Sequence, residues 1–225
     1  MNRNRGYALL FFHSEYADKA KRPGALADLK DVEDAFKRKL FEVETFLNKK
    51  ANDVIRKTEE YAKMDHAGRN CIAIIISTKL SREGNLRAYD DTYDADKLLK
   101  FFTPDRCPSL AGKPKLFFIQ AESANDSSVC TDTRDVYLPL HADFLVAYSS
   151  VPDYVSLCSV PRSVFLQELA EILINHGTYE DLVTLLTFVN RNVALYLEEN
   201  YKDNWRKQIL PPSFTSTLLH NVRFV

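Results

Sequence analysis

Short apolar runs alternate with helical stripes along this chain. Tyr7–His13 is almost continuously apolar at its centre, the pattern of a strand buried on both faces. Leu26, Leu29, Val32, Phe36 and Leu40 follow at intervals of three and four, which predicts one face of a helix. Phe41–Leu47 returns to a β-rich pattern, and Val54, Ile55, Tyr61 and Ala62 stripe a second helix expected to end near Gly68. Cys71–Ser77 is the clearest buried strand, and the stretch from Thr78 to Thr92 is polar. Leu98, Leu99, Phe101 and Phe102 mark a short helix, and Pro104, Pro108, Gly112 and Pro114 punctuate a loop. Further strands are expected at Leu116–Gln120 and Phe144–Tyr148, on either side of a polar segment without periodicity. Val164–Ile174 predicts a helix closed by Gly177, with Thr178-Tyr179-Glu180-Asp181 opening and capping the next. Leu182, Leu185, Leu186, Val189, Val193 and Leu197 stripe that helix. Phe214–Val225, after Pro211-Pro212, is a last β-rich segment.

This alternation predicts an α/β fold of three layers, a mostly parallel six-stranded sheet with helices on both faces. Working residues of such folds gather beyond the carboxyl ends of the strands. That rule selects three places: His13 to Ala25, Ser77-Thr78-Lys79, and Gln120-Ala121-Glu122-Ser123.

Charge and composition mainly exclude. Thirty basic and thirty-one acidic residues leave a net charge of −1, without the basic footprint of a nucleic-acid binder. The longest apolar run, Cys71–Ile76, is far short of the ~18 residues that span a bilayer, so no membrane partner is expected. Arg3 and Arg5 before Tyr7–Phe12 faintly resemble a signal peptide, but no small-residue cleavage site follows, and a core strand fits better. The four cysteines, Cys71, Cys107, Cys130 and Cys158, form no C-x-x-C pair, and the five histidines are isolated from one another. No metal, no cofactor and no structural disulfide are therefore expected, and the chain reads as a reduced, cytoplasmic protein. The six glycines form neither G-x-G-x-x-G nor a P-loop, and no G-x-S-x-G elbow occurs.

Several motifs, in order, carry a family resemblance. Asp105-Arg106-Cys107-Pro108-Ser109-Leu110-Ala111-Gly112-Lys113-Pro114-Lys115-Leu116-Phe117-Phe118-Ile119-Gln120-Ala121 resembles the segment that leads caspases to their catalytic Q-A-C-[RQG]-G. Arg5-Gly6-Tyr7-Ala8-Leu9 is similar to that family's first strand, and Arg22-Pro23-Gly24-Ala25-Leu26-Ala27-Asp28 to its R-x-G-[ST]-x-x-D loop. Ala142–Ser149 resembles the strand that opens the small subunit, and Val189–Ala194 and Lys207-Gln208-Ile209 fit the same pattern. The resemblance implies a single caspase-like domain over 1–225. Residues 1–122 would correspond to the large subunit, 123–138 to a short linker and 139–225 to the small subunit. The linker's aspartates follow no clear recognition tetrapeptide, so the chain is expected to stay uncut, and no prodomain is expected before Gly6.

The departures from the family pattern bear on function. Thr78 stands where the resemblance implies the general-base histidine, Lys79 where it implies the oxyanion-hole glycine, and Glu122 where it implies the nucleophilic cysteine. A carboxylate is a poor nucleophile toward an amide, and a threonine cannot shuttle a proton near pH 7. No cysteine or histidine within several residues could replace them, since His66 and Cys71 belong to the far end of the third strand. In the substrate pocket, Arg22 and Gln120 match the residues that clamp an aspartate side chain, although Arg22 alone reads equally as a solvated loop arginine. Ser156 is retained, but Leu157 and Cys158 replace an aromatic residue and the second arginine; Arg162 could substitute only if its loop rearranged.

The resemblance with these departures implies a pseudoenzyme, a caspase-like decoy without catalysis. The last segment contains no Asp, Glu or Lys from Phe214 to Val222, so it does little to discourage pairing at a sheet edge. In the family this strand pairs with its copy across a two-fold axis, which implies an interface of Pro212, Ser213, Phe214, Thr215 and Thr217. The expected function is regulation of apoptotic caspase activity by heterodimerising with a paralogous caspase, with enhancement favoured over inhibition and a homodimer also open. Two alternatives remain: an enzyme with an unconventional centre at Glu122, and a module that sequesters Asp-containing peptides on Arg22 and Gln120.

Overall fold

A computed structural model describes residues 5–81, 83–122, 141–149, 162–201 and 212–224. In chain order these contain β1 (Gly6–Phe12), α1 (Ala25–Arg38), β2 (Phe41–Leu47), α2 (Ala51–Ala62), β3 (Ile72–Lys79), β4 (Leu86–Arg87) and β5 (Thr92–Tyr93). There follow α3 (Ala95–Leu99), β6 (Lys115–Glu122), β7 (Phe144–Tyr148), α4 (Val164–His176), α5 (Leu182–Tyr201) and β8 (Ser213–Ser216). Six strands form one sheet in the order β2-β1-β3-β6-β7-β8. The first five are parallel, and β8 joins β7 antiparallel.

Strands that are apolar throughout need cover on both faces, and their alternation sorts side chains between two cores. Ala8, Leu10, Phe12, Ile75 and Phe118 pack with Val32 and Phe36 of α1, Leu169 of α4 and Leu186 of α5. Leu9, Phe11, Ile74, Ile76 and Phe117 face the other way, with Val54 and Tyr61 of α2 and Leu98 of α3. The three-layer α/β fold expected from the sequence is the fold observed, and no helix among the described residues is long and apolar enough to cross a membrane.

Several boundaries differ, each for a local reason. Leu29, Val32 and Phe36 are buried, but Leu26 and Leu40 are exposed. The inner face of α1 is completed by Ala25, Asp28 and Ala35, while Leu40 lies past the helix in the left-handed region, φ 64°. The second helix stops at Ala62 rather than near Gly68, because the chain turns so that buried His66 meets the Tyr61 carbonyl through Nε2 at 2.7 Å. The polar stretch after β3 contains an unforeseen antiparallel pair, β4 with β5.

Asp181, not Thr178, caps α5: its Oδ1 accepts from the N–H groups of Val183 (3.0 Å) and Thr184 (3.2 Å). Thr178 is occupied elsewhere, its hydroxyl accepting from Lys39 Nζ at 3.0 Å. Gly177 does follow α4, but at φ −61°, so left-handed freedom is not why it is glycine. A Cβ there would lie 2.4 Å from the Leu173 carbonyl oxygen. The last β-rich segment yields a strand of only four residues. It ends because the Thr217 hydroxyl donates to the His141 carbonyl (2.7 Å) and accepts from the Phe144 N–H (3.1 Å), turning the chain off the sheet.

Asp181→Ala is expected to cost about 1 kcal/mol in urea unfolding, and Asp181→Asn much less, since asparagine caps nearly as well. A larger loss from Thr178→Ala than from Asp181→Ala would return the cap to Thr178.

Candidate functional site at the carboxyl ends of the strands

Parallel pairing brings distant residues to one rim. β1 and β3 are in register with Phe12 opposite Ser77, and β3 and β6 with Ser77 opposite Gln120, Thr78 opposite Ala121 and Lys79 opposite Glu122. The loop after β1 folds back tightly, the Arg22 N–H donating to the Ser14 carbonyl at 2.8 Å. Asn48 Oδ1, just past β2, steadies that loop by accepting from the N–H groups of Ser14 (2.8 Å) and Glu15 (3.2 Å). Arg22, Thr78, Lys79, Gln120 and Glu122 are thereby gathered, as the carboxyl-end rule expects.

Arg22 is the centre of the cluster. Its Nε and Nη2 reach the same oxygen, Glu122 Oε1, at 2.8 and 2.7 Å. Nη1 donates to the His13 carbonyl at 3.0 Å and to Ser77 Oγ at 3.1 Å. The Arg22 side chain is 4% exposed and that of Glu122 22%. Arg22 is therefore no solvated loop arginine; its guanidinium is buried and ion-paired with Glu122.

A second set of bonds satisfies the neighbouring backbone. The Lys79 N–H donates to the Tyr16 hydroxyl at 3.0 Å. Thr78 Oγ1 lies 3.0 Å from the same hydroxyl and donates to the Arg87 carbonyl. Thr78 has one proton to give, so the Tyr16 hydroxyl is the donor to Thr78 and the acceptor from Lys79. Burial pushes the Tyr16 phenol up, partly offset by the charge of Arg22.

Gln120 turns toward the helices. Its Oε1 accepts from Ser163 Oγ at 2.6 Å, and Ser163 caps α4 by accepting from the Leu166 N–H at 3.1 Å. The Ser163 N–H donates to buried Asp28 Oδ2 at 2.8 Å, and Arg162 Nε to Asp28 Oδ1 at 3.0 Å. Arg162 Nη2 also bonds Asp31, so Arg162 is anchored to α1 and does not substitute for a lost pocket arginine. Burial raises the Asp28 pKa, against the opposing pull of the Ser163 N–H and Arg162. Ser156 and Cys158 lie outside the described residues, as does the 123–138 linker.

His13, Tyr16 and Ser77, which fall in the places the carboxyl-end rule selects, and Ser163, which the sequence did not single out, also belong to this cluster. Tyr16 lies in a loop that the carboxyl-end rule selects, but nothing in the local pattern assigns its hydroxyl a task. His13 is distant from Thr78 and Glu122 in sequence yet reaches their rim through β1. Its ring is fully buried, and neither ring nitrogen has a hydrogen-bond partner among the described residues. Burial, reinforced by the charge of Arg22, pushes its pKa down to about 4. Among the described residues it makes no hydrogen bond to a hydroxyl or thiol that it could activate. Cys71 and His66 are at the amino end of β3, as expected; the buried Cys71 thiol is pushed up to about 12. Cys71 and Cys107 are both free, and the described residues contain no group of three candidate metal ligands.

At the other end of the sheet, β8 pairs among the described residues only with β7, Thr215 opposite Val146 and Ser213 opposite Tyr148. Phe214 packs into the core shared with α4 and α5, which by strand alternation places Ser213 and Thr215 on the opposite face. Pro212 is buried, and the Thr217 hydroxyl is taken up within the chain, as above.

A sheet of five parallel strands with one antiparallel edge, helices on both faces and a polar rim defines a distinctive α/β class. Residues 5–222 match the caspase-domain family model. Caspase-1 of Spodoptera frugiperda is 37% identical over an alignment of 235 residues, covering 96% of this chain and 77% of that protein. Caspase drICE of Drosophila melanogaster is 36% identical, with 99% of this chain and 70% of that protein covered. The crystal structure of the Spodoptera caspase-1 superposes with a TM-score of 0.83, at 38% identity over 99% of this chain and 90% of that one. The chain belongs to the caspase family.

His13 also links stability to pH. Its folded pKa near 4 lies below the unfolded value of 6.5, so its contribution is complete above pH 6.5 and is lost as pH falls toward 4. Between pH 7.5 and pH 5 the protein is expected to lose about 2 kcal/mol more in urea unfolding than His13→Leu does. Parallel losses in the two proteins would show that His13 is not held neutral.

Proposed function

We propose that this chain is a non-catalytic member of the caspase family that heterodimerises through β8 with a paralogous caspase and enhances its activity. The observation that carries this reading is the Arg22–Glu122 pair. Glu122, at the nucleophile's place by family resemblance, is committed to a buried guanidinium rather than free to attack a carbonyl. Thr78, at the place of the general base, gives its proton to a carbonyl, and the Lys79 N–H already has the Tyr16 hydroxyl as acceptor. Neither nucleophile nor base remains in this arrangement, and loss of one such group costs about 10⁴ to 10⁶ in rate. The chain acts as one uncut unit in the cytoplasm without a cofactor, and its working part is the sheet edge.

The β8 edge suits that role. Main-chain bonds along a strand supply affinity, and the side chains near the two-fold axis choose the partner. Ser213 and Thr215 would face hydroxyls with hydroxyls in a homodimer, so pairing with a less polar strand is favoured. Enhancement of the partner is preferred over inhibition because a constitutively folded, uncleaved protomer would lend order to its neighbour.

Purified protein is expected not to cleave Asp-directed peptides, and Glu122→Cys with Thr78→His to restore weak activity at most. Turnover above background that Glu122→Ala abolishes would instead support an unconventional centre. Co-expressed with a paralogous caspase, the wild-type chain is expected to co-elute with it and raise its cleavage rate. Thr215→Arg, which sets a charge against the partner strand, is expected to remove both effects while the monomer stays folded. Equal rates with wild type and Thr215→Arg, and no complex on a sizing column, would overturn the regulatory reading.

A further inference from the structure

The buried guanidinium of Arg22 is paired with a carboxylate that covers it from the solvent side. Its other bonds among the described residues go to neutral oxygens, the His13 carbonyl and Ser77 Oγ. Glu122 is the last residue of β6, and its side chain is the more exposed partner of the pair. A buried cation left without its carboxylate is strongly disfavoured, because the charge stays desolvated while its compensation is gone. A site of this kind captures carboxylates, and here the chain supplies one itself.

We propose that Glu122 is a built-in ligand, filling at Arg22 a site that would otherwise take the side-chain carboxylate of an acidic peptide. A ligand held on the same chain competes at a high effective concentration, so a free peptide meets the site only in the fraction of molecules where Glu122 has swung away. The polar rim is closed in the same way next door, where Tyr16 takes the Lys79 N–H. The inference rests on the reading that Glu122 has no catalytic task, and it deepens it. The chain does not sequester acidic peptides, so its effect on a partner runs through another surface.

The test uses a fluorescent tetrapeptide whose C-terminal residue is aspartate with an amidated α-carboxyl, so that the probe tests the side-chain carboxylate, beside its asparagine counterpart. Wild type is expected to show no saturable binding of either up to about 1 mM. Glu122→Ala is expected to bind the aspartyl peptide at least tenfold more tightly than wild type and to leave the asparaginyl peptide unbound. Acetate, which can occupy the vacated place, is expected to raise the thermal midpoint of Glu122→Ala and not that of wild type. If Glu122→Ala does not fold alone, recovery of folding in acetate but not in chloride of equal ionic strength is the supporting result. Glu122→Gln keeps an acceptor for the guanidinium, folds, and is expected to gain part of the affinity. No gain in Glu122→Gln together with no acetate effect on Glu122→Ala overturns the inference. Partner activation is read separately with Thr215→Arg, so failure of one reading leaves the other standing.

Discussion

A guanidinium removed from water must find its acceptors inside the fold, and the placement of Arg22 organises the whole rim. Its partners are a carbonyl at the end of β1, a hydroxyl in β3 and a carboxylate at the end of β6. They meet only because three parallel strands end together in one register. Slipping β3 by one residue would turn Ser77 to the other face and leave the cation under-compensated. The apolar cores on the two faces fix that register, since each strand offers alternate residues to each. Packing in the body of the sheet and charge compensation at its rim thus require each other.

The same logic runs along the neighbouring helices. Asp28 is a buried carboxylate on the inner face of α1, and it holds the start of α4 through the Ser163 N–H and Arg162. Ser163 in turn engages Gln120, so α1, α4 and β6 share one polar network. Moving Arg162 toward the Arg22 site would leave Asp28 with less compensation at the cost of desolvating it. An arginine four places from the family's position therefore cannot be counted as a spare, whatever its distance along the chain.

Much of this was legible in the sequence where one force dominates. β7 is observed at Phe144–Tyr148 as expected, because an apolar run paired on both sides in the sheet has no competing pattern. The three loops at the carboxyl ends were selected by topology alone and contain the site. What escaped depends on partners far along the chain. Asp28 broke the apolar face of α1 that Leu26 and Leu40 suggested, since a carboxylate there is tolerable only with Ser163 and Arg162 attached. Thr178 looked like a cap until Lys39 claimed it. Nothing in the local pattern gave His13 or Tyr16 a task, and only the strand register brings His13 to Ser77 and Tyr16 to Thr78 and Lys79.

The rim and the β8 edge stand at opposite ends of a mechanical argument. Arg22, Thr78 and the Lys79 N–H at the rim are satisfied from within: carboxylate on guanidinium, hydroxyl on carbonyl, phenol on backbone N–H. The β8 edge is the reverse, since among the described residues β8 is bonded on its β7 side and ends the sheet on the other. Its shape does not depend on the rim, because Thr217 fastens its end to the His141 carbonyl and Phe214 anchors its middle in the core. Groups whose bonds are already made gain little from an incoming molecule, whereas a strand with unmade ladder bonds gains one for each residue paired. Under the proposed reading, that difference is why a partner strand would be taken at the edge rather than a ligand at the rim.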